Sequence, residues 1–228
     1  MNVAIVVAAG RGSRAGAGRA KQFREIKGIP IIIRTLSRFE ACDAVGRVVA
    51  VVPAGEEAET LALARAHGLS KLSGVVAGGA TRTESVGRGL EAAAPAATEV
   101  VAVHDGVRPF VTPEEIGRVV HEAGRTGAAI LAAPAVDTIK EAGDDSRVAR
   151  TLDRARLWRA LTPQCFRADI LRRALDLAAR EGLDATDCSS LVERLGAPVQ
   201  IVEGSPDNIK ITTPQDFALA EIILESRQ

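Results

Sequence analysis

Short apolar, β-branched runs alternate along the chain with longer stretches whose apolar residues recur at helical spacing. That alternation predicts an α/β fold, a mostly parallel sheet with helices on both faces. The expected strands are Val3–Ala9, Arg47–Val52, Gly74–Ala77, Glu99–His104 and Ala128–Pro134. Several are almost wholly apolar, as central strands covered on both sides must be. Helix starts are marked by their caps: Thr81 with Glu84 reads as a capping box, and Thr112-Pro113 with Glu115 and Thr213-Pro214 with Asp216 repeat the device. The regularity breaks after Pro134. Residues 135–155 are polar and hairpin-like around Gly143-Asp144-Asp145, an excursion that reads as an arm, a lid or a floppy insertion. Order returns with a strand at Leu161–Phe166, helices over Ala168–Glu181 and near Asp187–Leu195, a strand at Val199–Glu203, and a closing helix after Thr213.

At 228 residues without an internal repeat or linker, the chain reads as one domain, residues 1–228, with the arm as an insertion. A chain this long buries about 70% of its extended surface, which is ample for a core. The 29 basic residues balance the 29 acidic ones, so no global field draws the chain to nucleic acid or an anionic membrane. An anionic ligand must therefore be met by local charge. No apolar run is long enough to span a bilayer, and the N-terminus lacks a basic leader. Three widely spaced cysteines without CxxC pairing fit a reducing cytoplasm rather than a disulfide or zinc scaffold.

The local charge lies beside the first strand. Val6-Val-Ala-Ala-Gly-Arg-Gly-Ser-Arg14 leads into Arg19-Ala-Lys21-Gln22, and six basic residues against one acid fall between Arg11 and Lys27. Glycines there free backbone N–H groups to approach phosphate oxygens. The dinucleotide fingerprint fits only loosely, since no ribose-binding acid ends a second strand, and the GxxxxGK[ST] loop is absent because Gln22 follows Lys21. A nucleotidyltransferase loop, Ala-Ala-Gly-x-Gly-x-Arg followed by Ala-Lys-Gln, matches without repair. A second segment, His104-Asp105-Gly-Val-Arg108-Pro, ends a buried strand, where ligands bind in open α/β sheets. Asp105 at such a point either caps a turn or helps hold a divalent cation, and Arg108 suits an anion. His104, without a partner, reads as a packing residue. In the third segment, Asn208-Ile-Lys210-Ile, Lys210 alternates with two isoleucines, as on an exposed strand or as a second cation for the same phosphates.

Together, AAGxGxR with AKQ, HDGVRP, DTIK, LTPQ, ATD and DNIKIT resemble the 2-C-methyl-D-erythritol 4-phosphate cytidylyltransferase family across essentially the whole chain. The resemblance implies a single Rossmann-like nucleotidyltransferase domain that transfers CMP from CTP to methylerythritol phosphate. Arg14, Lys21 and Lys210 match the catalytic cations. Ala8, Ala9, Gly10 and Gly12 match the loop around CTP, and Gly79 and Ser85 match the cytosine contacts. Asp105 matches an acid near ribose and metal, implying Mg²⁺ held mainly through CTP phosphates. Arg154, Thr162 and Thr186 match contacts to the acceptor, and Arg108 and Thr138 match contacts from a neighbouring subunit. The arm at 135–155 then resembles the family's dimerisation arm, implying a homodimer with shared sites.

Val7 stands where many members carry Pro, Ala80 replaces a frequent acid, and Gly106-Val107 replaces a pair of alanines. A cytidylyltransferase for a pentitol phosphate such as ribitol 5-phosphate shares the CTP half and stands as one alternative. A non-catalytic CTP-binding homologue and a dinucleotide-dependent dehydrogenase are the others, the first disfavoured by the three cations and the second by the missing acid.

Overall fold

The computed structural model describes residues 1–10 and 20–227 of the chain. Its centre is a seven-stranded sheet. The strands are β1 (Val3–Val7), β4 (Arg47–Val52), β5 (Leu72–Ala77), β6 (Val100–Asp105), β7 (Ala128–Pro134), β10 (Trp158–Arg167) and β11 (Gln200–Glu203), in the order β11-β7-β10-β6-β1-β4-β5. Only β10 runs antiparallel to its neighbours; the other pairings are parallel. The short strands β2 (Glu25–Ile26) and β3 (Ile29–Pro30) pair by themselves, as do β8 (Lys140–Ala142) and β9 (Val148–Thr151) in the expected arm.

Strand alternation divides the core between two layers. Ala4, Val6, Val48, Ala50 and Ala102 face α1 (Ile31–Glu40), α2 (Glu57–Ala66) and α4 (Pro113–Thr126), whereas Val3, Ile5, Val49, Val51 and Val101 face α3 (Arg82–Ala93), α5 (Ala168–Glu181) and α6 (Cys188–Arg194). The last helix, α7 (Pro214–Ser226), closes a smaller cluster with Ile26, Ile31, Phe110 and Ile211. Both sides of the sheet are thus covered, which is why its strands are apolar throughout.

The expected capping box at α4 forms in full, with Thr112 Oγ1 accepting from Glu115 N at 3.1 Å and Glu115 Oε2 accepting from Thr112 N at 2.9 Å. At α3 only half of it forms: Thr81 accepts from Glu84 N, but the Glu84 carboxylate turns to Ala80 N at 2.8 Å. The Lys210 segment is not a strand. It is irregular, held by Ile211 N donating to Val107 O at 2.9 Å and by burial of Ile211, because no neighbouring strand offers it a ladder.

The chain runs from β1 outward to β4 and β5, then returns to place β6 on the other side of β1. Strand order therefore reverses between β1 and β6, and the crevice beyond their carboxyl ends is the expected ligand position.

Candidate active site

A cleft of about 310 Å³ opens at that reversal. Ala8, Ala9 and Gly10 form one wall at the end of β1, and Lys21 stands beside them. Buried Gln22 fixes this arrangement, its amide donating to Ala8 O at 2.7 Å and to Gly10 O at 3.3 Å. The 3₁₀ turn Lys21–Phe23 is thereby tied to the end of β1, which sets where Lys21 enters the cleft. Gly12 and Arg14 lie outside the described residues.

The opposite wall is the turn between β5 and α3. Gly79 N donates to Ser85 Oγ at 3.1 Å, and Ser85 Oγ donates to Thr81 O at 2.9 Å. A Cβ on Gly79 would come within 2.4 Å of Glu84 Cβ and 2.6 Å of Glu84 Oε2, so only glycine fits under that carboxylate.

Asp105 forms the floor, and three cations converge on it. Lys210 Nζ lies 2.9 Å from Oδ2, Arg108 Nε 3.5 Å from Oδ2, and Arg82 Nη2 3.5 Å from Oδ1. Burial alone pushes the Asp105 carboxyl up, but Lys210, Arg82 and Arg108 outweigh it and hold the group well below the usual carboxylate range. The floor consequently carries a surplus of positive charge while its acid stays ionised. Lys210 is the most exposed of the three cations, its side chain 44% open against 21% for Arg82 and 12% for Arg108.

Beneath Asp105 runs a buried relay. His104 Nε2 lies 3.1 Å from Arg108 O, which can only accept, so this nitrogen carries the proton of the neutral ring. Nδ1 then accepts from Thr162 Oγ1 at 3.0 Å, and the same hydroxyl accepts from Asp105 N at 3.2 Å. Asn208 Nδ2 donates to Thr162 O at 2.8 Å, and Arg108 Nη1 donates to Asn208 O at 2.7 Å. Burial lowers the His104 pKa to about 4, consistent with a neutral ring. His104 is thus a packing residue, as its isolation in the sequence suggests, and both its nitrogens are committed.

The family model of the IspD proteins, 2-C-methyl-D-erythritol 4-phosphate cytidylyltransferase, matches residues 2–226. The chain belongs to that family. A 2-C-methyl-D-erythritol 4-phosphate cytidylyltransferase of Pelotomaculum thermopropionicum is 47% identical over 226 residues, covering 99% of this chain and 94% of that protein. The crystal structure of the enzyme of that name from Thermus thermophilus superposes with a TM-score of 0.77 at 35% identity, covering 99% of this chain and 100% of that one. The 4-diphosphocytidyl-2C-methyl-D-erythritol synthase of Anaerococcus prevotii gives a TM-score of 0.85 at 26% identity, over 98% and 95% of the two chains.

The cytidylyltransferase motifs fall unevenly on the structure. Ala8, Ala9, Gly10, Lys21, Gly79, Ser85, Asp105 and Lys210 all line the one cleft. The residues matched to the acceptor do not. Thr162 is buried under the floor with its hydroxyl engaged in the relay, and Thr186 is exposed on the loop before α6. Thr138 and Arg154 both sit on the exposed arm, where Arg154 Nη1 donates to Val136 O at 3.1 Å. Resemblance pairs Arg108 with Thr138 as contacts reaching across subunits, with Arg154 on the near side. Within this chain Arg108 Nε lies 3.5 Å from Asp105 Oδ2, and Arg154 and Thr138 both lie on the arm. Sequence reasoning assigned no role to Arg82, Asn208 or Gln22; each acts through contacts distant in sequence, although the AKQ and DNIKIT motifs contain Gln22 and Asn208.

Proposed function

We propose that this chain transfers CMP from CTP to 2-C-methyl-D-erythritol 4-phosphate, releasing pyrophosphate, and that it does so in the Asp105 cleft. Family membership supports the reaction. The observation that carries the site is the convergence of Lys210, Arg82 and Arg108 on one carboxylate, with Lys21 lining the same cleft.

The acceptor phosphate attacks the α-phosphorus of CTP in line, and the bond to the pyrophosphate oxygen breaks. Both partners are anions, so repulsion on approach and charge on the α-phosphoryl oxygens are the obstacles. Lys21 and Lys210 meet that charge, joined through resemblance by Arg14. A phosphate monoester is largely a dianion near pH 7, so the nucleophile needs no general base. The absence of a free titrating histidine among the cleft-lining residues suits this. Ser85, Gly79 and the Ala8–Gly10 backbone hold the base and ribose.

No group of three His, Cys, Asp or Glu side chains is placed to hold a metal among the described residues. Among the described residues Asp105 is the one carboxylate lining the cleft, a donor set that fits Mg²⁺ held mainly by the triphosphate with one protein carboxylate. When bound, Mg²⁺ neutralises phosphate charge; Asp105 would hold it once Lys210 turns to the nucleotide.

The arm supports a homodimer. It exposes Val136 at 72% and Val148 at 63%, and apolar side chains this open on a projecting hairpin call for a covering partner, here a second copy. Thr138 and Arg154 would then reach the partner's acceptor pocket together. Three buried, unpaired cysteines suit a cytoplasmic location, and no described helix is long and apolar enough to cross a membrane.

Pyrophosphate release from CTP and Mg²⁺ should require methylerythritol phosphate. Equal or faster turnover with ribitol 5-phosphate would overturn the acceptor assignment.

A further inference from the structure

The first turn of α3 faces two ways. Ser85 and Glu84 bond the nucleotide-side turn at Gly79 N and Ala80 N. Thr83 faces the loop before α6, donating to Asp184 Oδ1 at 3.2 Å and accepting from Ala185 N at 3.3 Å. Arg82 spans both sides: Nη2 lies 3.5 Å from Asp105 Oδ1, and Nη1 donates to Cys188 Sγ at 3.2 Å.

Nothing in helix formation asks for arginine there, since a cation in the first turn opposes the helix dipole. Its guanidinium is also largely buried, which is costly without partners. Burial works to lower its pKa, but Cys188, Asp105 and Asp187 outweigh this and raise it, so the charge persists. The start of α6 is held from its other side by Gln164, whose Oε1 accepts from Cys188 N at 2.9 Å and whose Nε2 donates to Asp187 Oδ2 at 2.8 Å. Residues 183–188 are therefore gripped between β10 and α3, and Arg82 is the grip that also touches the cleft floor.

We propose that Arg82 is a positioning residue that clamps the loop carrying Thr186 onto the Asp105 floor, setting where the acceptor phosphate stands relative to the bound nucleotide. The clamp needs a fork. Two guanidinium nitrogens reach two partners, whereas an ammonium is a single point charge that satisfies Asp105 and releases Cys188. Where the loop guides the acceptor, the inference rests on the proposed transfer reaction; the clamp itself does not.

Arg82→Lys in the full chain keeps the charge and tests the fork. The acceptor KM should rise about tenfold through loss of alignment, while the CTP KM stays within about twofold because lysine keeps the positive charge beside Asp105. Amide hydrogen exchange over residues 183–188 should speed up in this variant, with α4 unchanged as an internal reference. Cys188→Ala should reproduce the KM split, and the double variant should be no worse than either single one. An unchanged acceptor KM, an equal rise in both KM values, or unchanged exchange over residues 183–188 would overturn the clamp. Wild-type protein inactive on methylerythritol phosphate would sink the reaction assignment instead, and the exchange rates would still judge the clamp.

Discussion

Replacing Thr162 by Val tests the relay under the active-site floor. The two side chains are nearly isosteric, so packing is preserved and the hydroxyl alone is removed. Two buried groups then lose their partners: Asp105 N, which donates to Oγ1 at 3.2 Å, and His104 Nδ1, which accepts from it at 3.0 Å. His104 is fully buried, packed edge-on against Phe39 with ring centroids 5.0 Å apart, so water does not replace the hydroxyl cheaply. At about 1–3 kcal/mol for each orphaned group, Thr162→Val should destabilise the fold by about 2–6 kcal/mol. Thr162→Ser keeps the hydroxyl and should cost about 1 kcal/mol for one buried methyl. Urea unfolding at pH 7.5, read by circular dichroism, measures both. A Val variant within about 0.5 kcal/mol of wild type, the range of a neutral surface change, would refute the relay.

His104 also sets an acid limit. Its pKa falls from 6.5 to about 4 on folding, so the unfolded chain binds the proton first and stability drops as pH falls through that window. The full loss, about 3 kcal/mol, should be reached near pH 4; Asp105, held low, adds its own loss below the ordinary carboxylate pKa. His104→Gln retains a donor and an acceptor without titrating, and an unchanged slope between pH 6.5 and 4 would count against the assignment. Gly79→Ala forces a Cβ to 2.4 Å from Glu84 Cβ, so CTP affinity, measured by calorimetry, should fall about tenfold and the melting temperature should drop by a few degrees. Val148→Asp on the arm should shift sedimentation towards monomer and abolish turnover; a dimer that sediments unchanged would contradict the proposed role of the arm.

Much of this fold was legible because its signals are local. Strands covered on both faces leave continuous apolar runs, and the caps at Thr81, Thr112 and Thr213 carry their own hydrogen-bonding residues. The Asn208–Ile211 segment misled because alternation marks a strand only where a neighbour supplies the ladder. Ala8–Gly10, Lys21 and Asp105 sat in motifs next to strand ends, and the structure brings them to one cleft. Gln22, Arg82 and Asn208 were not assigned, because each works through bonds to residues remote along the chain, such as Arg82 to Cys188 and Asn208 to Thr162.

Transfer of CMP to methylerythritol phosphate is proposed to take place over a floor where fixed cations surround Asp105. Side-by-side pyrophosphate release by the wild type and Lys210→Ala, with CTP, Mg²⁺ and methylerythritol phosphate, tests it most directly. Wild-type turnover should depend on the acceptor, and the variant, folded normally, should lose about 10²–10³ in kcat, as removal of a preorganised donor to developing charge does. Acceptor-independent release, or a variant within about tenfold of wild type, would contradict the account.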